Sequence, residues 1–242
     1  MKALILNSGV GNRMGALTQV KNKCLVEIAE GITIIDHQLR TLLDNGVRDF
    51  CITTGPFAKV LEKYIVERYP RGRFSFVRND LYEATNYIYS IYLAREQLRG
   101  DLIMLHGDLL FDRDVLGEVL TCGDSVMTVD YKKPLPEKDF KAVVIDGRVR
   151  QVGVQFFDGA YYGQPLYKLS ANDWAVWLDE IIRFCEAGET RVYAENALNQ
   201  VSDKMRLLPF DLQGRNCFEV DNPEDLEAAR KWYIQAQAKG NA

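Results

Sequence analysis

Residues 3–28 read ALILNSGVGNRMGALTQVKNKCLVEI, and the order of features within them decides the fold class. Ala3 to Leu6 is an apolar run of the length of one short buried strand, and it passes at once into a turn carrying Gly9 and Gly11. Glycine lets a backbone approach a ligand with no Cβ in the way. Successive backbone N–H groups in such a turn form a concave donor site for phosphate oxygens. Arg13, Lys21 and Lys23 add positive charge within a few residues of it. A glycine pair after a strand is also the sequence of an ordinary tight turn. Two other phosphate loops are excluded, however. The dinucleotide fingerprint needs glycine where Met14 stands, and a Walker loop needs a Gly-Lys-Ser/Thr run that is absent.

Outward from this loop, apolar runs alternate with amphipathic stretches. Ile35, Leu39, Leu42 and Leu43 have helical spacing, and Asn45-Gly46 ends that helix. Phe50 to Thr53 reads as strand, Val60 to Tyr69 as helix and Phe74 to Val77 as strand. Tyr87, Ile91, Ala94 and Leu98 mark another helix, and Leu102 to Leu105 is an apolar strand running into His106-Gly107-Asp108. Repeated β-α units predict a mainly parallel sheet with helices on both faces, an α/β fold. The second half is less regular. Ser125 to Val129 reads as strand, and Ala142–Ile145 and Val149–Val152 flank Asp146-Gly147 as a hairpin. Trp174 to Cys185 and Pro223 to Ala236 read as helices, the second with Asp221 or Asn222 available as its cap. A single domain, 1–242, with an inserted antiparallel portion is the simplest organisation.

With 30 Lys and Arg against 34 Asp and Glu, the net charge of -4 points to no nucleic-acid and no membrane surface, so an anionic substrate needs a local basic pocket. The five cysteines form no C-x-x-C pair and only two histidines are present, which argues against a zinc site. They read as reduced thiols of a cytoplasmic protein, mostly core residues. The N-terminal apolar run is too short for a signal peptide. The sequence is compatible with a homodimer but does not fix the oligomeric state.

The loop resembles the sugar-nucleotidyltransferase superfamily signature L-x-x-G-x-G-x-R-[ML]-x-x-L-T-x-x-x-P-K-x-L. Leu6, Gly9, Gly11, Arg13, Met14, Leu17, Thr18, Lys23 and Leu25 match in register, while Asn22 replaces the usual proline and Asn7-Ser8 the common Ala-Ala. The resemblance implies a Rossmann-like, mixed but mainly parallel sheet, with one reversed strand and an inserted antiparallel substrate lobe. It also implies nucleotide contacts from Leu6, Asn7, Ser8, Gly9, Val10, Gly11, Asn12, Arg13 and Lys23, and from Gly107 and Asp108 at the end of a central strand. The late stretch Phe218-Glu219-Val220-Asp221-Asn222-Pro223-Glu224-Asp225 resembles the family's second acidic motif, so Asp108 and Asp221 are the expected ligands of one Mg²⁺. On the residues alone, Asp108 also reads as a cap of a helix beginning near Asp112, and Asp221 as an N-cap. Glu219, Glu224 and Asp225 read as surface or first-turn residues.

Catalysis in such an enzyme needs no protein nucleophile, because the acceptor phosphate is already anionic. Lys23 and Arg13 are the expected catalytic cations. Lys141 joins them by resemblance to cytidylyltransferases of polyol phosphates, where a strand lysine reaches the acceptor; an exposed strand lysine is the alternative. Glu83 to Ala94 resembles the N-x-x-S-[IL]-x-x-A stretch of the phosphocholine and 2-aminoethylphosphonate cytidylyltransferases. It offers Asn86 and Ser90 to read a base edge, with Asn86 equally a helix cap. Tyr193 and Glu195 resemble part of that subgroup's Y-W-E element, with Ala194 in place of tryptophan, and suit an ammonium group. The expectation is a CTP-dependent cytidylyltransferase acting on a small phosphorylated or phosphonate substrate. The alternatives are a sugar-1-phosphate nucleotidyltransferase using UTP or another NTP, and a catalytically silent nucleotide-binding regulator.

Overall fold

The structure is a computed structural model that describes residues 1–238 and 240. Its first half holds β1 (Lys2–Asn7), β2 (Glu27–Ala29), β3 (Ile32–Thr33), α1 (Ile34–Asp44), β4 (Asp49–Thr54), α2 (Ala58–Arg68) and β5 (Arg73–Arg78). There follow α3 (Tyr87–Ala94), β6 (Leu102–His106), β7 (Leu109–Phe111), α4 (Arg113–Thr121), β8 (Ser125–Asp130), β9 (Lys141–Ile145) and β10 (Arg148–Gly153). The chain continues with β11 (Ala160–Leu169), α5 (Ala171–Glu186), α6 (Ala194–Val201), β12 (Leu207–Asp211), β13 (Cys217–Glu219) and α7 (Pro223–Ala238).

Strands β5, β4, β1 and β6 pair in parallel, as the β-α alternation implies, and β11 then runs antiparallel to β6. Beyond it, β11 pairs antiparallel with both β8 and β9, and β9 forms a hairpin with β10. Asp146 and Gly147 both take positive φ, the backbone a tight two-residue hairpin turn requires. The fold is therefore α/β with a mixed, mainly parallel sheet and an antiparallel extension. Strand pleating divides the core in two. Leu4 and Leu6 pack towards α3, α5 and α6, whereas Ala3 and Ile5 pack towards α1, α2 and α4. Trp174 and Trp177 lie in the first of these cores, fully buried. No helix among the described residues is long and apolar enough to cross a membrane.

Helix α1 anchors the strand end that matters most. Its Gln38 amide donates to the carbonyls of His106 (2.8 Å) and Leu109 (2.7 Å), clamping both sides of the Gly107-Asp108 turn. The adjacent His37 is bonded through Nε2 to the Phe111 carbonyl at 2.8 Å. That partner can only accept, so Nε2 carries the proton. Burial pushes the His37 pKa down to about 4. The unfolded chain thus binds a proton below about pH 6.5 that the folded chain refuses, and stability must fall as the pH drops from there towards 4. The shift corresponds to roughly 3 kcal/mol. Urea unfolding at pH 7 and pH 4.5 should show that loss in the parent and a smaller one in His37→Gln; equal losses would place its origin elsewhere.

Candidate active site

Three chain segments converge at the carboxyl ends of β1 and β6. After β1, Gly11 adopts φ +71 and opens a 3₁₀ turn over Asn12–Thr18, whose Thr18 hydroxyl donates back to the Gly11 carbonyl at 3.0 Å. Asn22, where the family signature has proline, holds φ at −63, a value proline itself would impose. Its amide donates to the Pro56 carbonyl at 2.9 Å, so a hydrogen bond fixes what a ring would otherwise fix. Gly107 packs so closely on Asn7 that a Cβ there would stand 1.8 Å from Asn7 Oδ1. The loop after β1 and the turn after β6 are thereby held in contact.

The third segment arrives through β13. It pairs antiparallel with β7, matching Glu219 to Leu109, and the Val220 N–H donates to the Asp108 carbonyl at 3.0 Å. This brings Asp221 to Asp108 although 112 positions separate them in sequence. Lys23 lies between the two, its ammonium bonded to Asp221 Oδ1 at 2.8 Å and also paired with Asp108. Arg13, mostly exposed, reaches the same Asp221 oxygen at 2.7 Å. Burial works against the Lys23 charge, but the two carboxylates outweigh it and hold its pKa above the ordinary lysine value. Burial likewise opposes the Asp108 charge, and Lys23 and His106 overcome it, keeping its pKa low.

Neither aspartate is a helix cap. The cap of α7 is Asn222, whose Oδ1 accepts the Asp225 N–H at 2.9 Å, while the Asp225 carboxylate accepts the N–H groups of Asp221 and Asn222. Asp108 precedes β7, and the residue before α4 is Asp112. Asp108 Oδ1 is buried with no hydrogen-bond partner among the described residues. A buried orphan oxygen beside a second converging carboxylate is an all-oxygen donor set, and these residues fit a small hard cation such as Mg²⁺.

Over this cluster opens a cavity of about 600 Å³. Leu6, Asn7, Gly9, Gly11, Asn12 and Arg13 line it from the loop. Lys23, Asn86, Gly107, Asp108, Tyr193 and Asp221 line it from elsewhere. Ser8 faces an adjoining cavity of about 190 Å³, and Asn86 borders both. Asn86 also caps α3, accepting the Tyr87 N–H at 2.8 Å.

Four expected residues are placed differently. Val10 is half-buried and lines neither cavity. Ser90 is fully buried behind Ser8. Lys141 does not reach the site: its buried ammonium donates to the carbonyls of Pro136 (2.6 Å) and Glu137 (3.2 Å), tying down the segment before β9. Lys138 on that segment faces the cavity instead. Glu195 does not face the cavity either. It is buried under the pocket wall, accepting hydrogen bonds from the Tyr87 hydroxyl and from that of Tyr167 at 2.9 Å. The wall itself is aromatic, with the Tyr193 ring 5.9 Å from Tyr87 and 5.1 Å from Phe140, centroid to centroid.

The sequence reading misses His106 and Glu219, which are bonded at 2.8 Å and both line the cavity. Burial and Asp108 push the Glu219 carboxyl up. Against the pull of burial, Glu219 pushes the His106 imidazole up, favouring a charged pair. A signal for both was present. Each stands two positions before an expected metal-ligating aspartate, His106 before Asp108 and Glu219 before Asp221.

The MobA-like NTP transferase domain family matches residues 3–202, a span that includes the glycine loop and Asp108 and ends before Asp221. The chain is 26% identical over 230 residues to the choline-phosphate cytidylyltransferase of Streptococcus pneumoniae, covering 93% of this chain and 95% of that one. It is 25% identical over 244 residues to the bifunctional IPC transferase and DIPP synthase of Thermococcus kodakarensis, covering 99% of this chain but 52% of that protein. The chain thus spans about half the length of that bifunctional relative. In fold it is similar to the solved CTP:phosphocholine cytidylyltransferase of Streptococcus pneumoniae, with a TM-score of 0.74 and 21% identity over 96% of this chain and 98% of that one. It is also similar to the inositol-1-phosphate CTP transferase of T. maritima, with a TM-score of 0.78 and 20% identity over 95% and 96%. The chain belongs to the MobA-like NTP transferase domain family of nucleotidyltransferases.

Proposed function

We propose that the protein is a cytidylyltransferase that transfers CMP from CTP to a small phosphate- or phosphonate-bearing acceptor and releases pyrophosphate. The observation that carries this reading is the convergence of Asp108, Asp221, Lys23 and Arg13 on one cavity under a glycine loop. The acceptor oxygen attacks the α-phosphorus of the NTP. A P–O bond forms on one side as the bond to the β-phosphate breaks on the other, and the displaced pair leaves on pyrophosphate. No residue need become covalently attached. The protein aligns the partners and offsets charge.

Nucleotidyltransferases of this kind generally use divalent metal ions. Asp108 and Asp221 would hold Mg²⁺, which would supply positive charge to offset the negative charge of the phosphates. Lys23, which bridges the two carboxylates without ligand, would turn to the triphosphate and offset the charge that grows on pyrophosphate. Arg13, largely in solvent, would close over the same group.

Relatives that act on CTP support the base assignment. The acceptor assignment rests on the aromatic wall. Tyr87, Tyr193 and Phe140 line the cavity, where a ring face attracts a cation, and the buried Glu195 carboxylate behind Tyr87 adds negative potential. An ammonium-bearing acceptor such as phosphocholine or aminoethylphosphonate is therefore favoured over glycerol phosphate. Tyr193→Ala should raise KM for phosphocholine by about 3- to 30-fold and leave that for glycerol phosphate within about twofold, because cation–π contacts have that range of strength. Equal effects on both acceptors would remove the cationic assignment.

A further inference from the structure

The wall of the 190 Å³ cavity carries a chain of hydrogen bonds whose polarity can be worked out link by link. It begins at Asn79, which is buried, and whose Oδ1 accepts the Leu81 N–H at 2.9 Å. A backbone N–H can only donate, so the orientation of the Asn79 amide is fixed, and its nitrogen must face the other way. Both amide hydrogens are used: Nδ2 lies 3.0 Å from Thr85 Oγ1 and 3.0 Å from Ser90 Oγ. Ser90 Oγ therefore accepts, and its own proton needs an acceptor. That acceptor is Ser8 Oγ, 2.7 Å away. The opposite direction would leave the Ser90 proton, fully buried, with no partner, an arrangement of the kind folded proteins avoid.

The consequence lies at the two ends of the chain. Ser8 Oγ accepts from Ser90, so its proton is free to point into the cavity that Ser8 lines. Thr85 Oγ1 accepts from Asn79 and donates to the Leu81 carbonyl at 2.8 Å, so towards the cavity it can offer only its remaining lone pair. The wall thus presents a donor at Ser8 and an acceptor at Thr85. The pairing edge of cytosine presents an acceptor at N3 and a donor at the 4-amino group. Uracil presents the reverse, N3–H and O4.

We infer that the Asn79–Ser90–Ser8 chain is the device by which this protein selects cytosine over uracil. Ser8 is the specificity-determining contact, and Ser90 and Asn79 act as positioning residues that set the direction of its proton. The inference deepens the cytidylyltransferase reading and rests on it. It also gives Asn7-Ser8, in place of the family's common Ala-Ala, a purpose at Ser8: an alanine there has no proton to aim.

The test is the ratio of kcat/KM for CTP to that for UTP, with one acceptor, in the parent and in Ser8→Ala, Ser90→Ala and Asn79→Asp. The parent should favour CTP. Ser8→Ala removes the donor and Ser90→Ala frees its direction, so each should lower the ratio by about 5- to 30-fold. Asn79→Asp is the sharper variant. An ionised carboxylate accepts from Ser90, which reverses the chain and turns the Ser8 lone pair towards the base. At about pH 8, where a carboxylate is ionised, the preference should then swing towards UTP. If a variant loses turnover, equilibrium binding of CTP against UTP reads the same ratio. A CTP-preferring parent whose ratio stays within twofold in all three variants overturns this inference and leaves the function reading standing. A parent that prefers UTP or a purine nucleotide overturns both.

Discussion

Asp108→Ala and Asp221→Ala are each expected to lower nucleotidyl transfer by roughly a thousandfold or more, since a metal-bound transition-state interaction is worth several kcal/mol. The two carboxylates reach one another through the pairing of β7 with β13 and converge on the same ammonium group, so neither can replace the other. Neither side chain supports the fold in a way that alanine would undo. Asn222 and Asp225 cap α7, and Gln38 clamps the Asp108 turn through backbone carbonyls. The variants should therefore keep the parent's circular dichroism spectrum while losing turnover at saturating Mg²⁺. Full activity in either would take that carboxylate out of the mechanism.

Lys23→Ala should lower kcat by about 10²- to 10³-fold, the usual cost of removing one charge-stabilising donor, and should change KM for CTP far less. Charge on the leaving pyrophosphate is greatest in the transition state, so its partner matters most there. The side chain is held between two carboxylates and is already charged before any nucleotide enters, so no proton has to be taken up for it to act. Steady-state kinetics would decide the matter: an unchanged kcat with a raised KM would make Lys23 a ground-state contact alone.

Much of this arrangement can be read from the residues because it follows local periodicities. The parallel half of the sheet rests on short apolar strands alternating with amphipathic helices, and the hairpin on Asp146-Gly147. Strand β11 escapes such reading. Gly163 and Pro165 interrupt its apolar run, and its partners β6, β8 and β9 come from elsewhere in the chain. Lys141 and Glu195 show a second limit. Their residue types suit the chemistry, yet one side chain turns back to its own loop and the other lies beneath two tyrosines. Which way a side chain on a strand or helix turns is settled by the layer packed over it, and that layer is distant in sequence. His106 and Glu219 show the reverse: their place two positions before the aspartates is legible in the sequence, whereas their pairing exists only once β13 lies beside β7.

The central claim is transfer of CMP to a phosphorylated acceptor. It is tested most directly by pyrophosphate release from the purified protein with Mg²⁺, each of the four NTPs, and phosphocholine, aminoethylphosphonate, glycerol phosphate or a sugar 1-phosphate. The expected result is release that requires both CTP and an acceptor, is greatest with an ammonium-bearing one, and disappears in Asp108→Ala. Release with UTP and a sugar 1-phosphate in preference to CTP, or nucleotide binding with no release under any pairing, would contradict it.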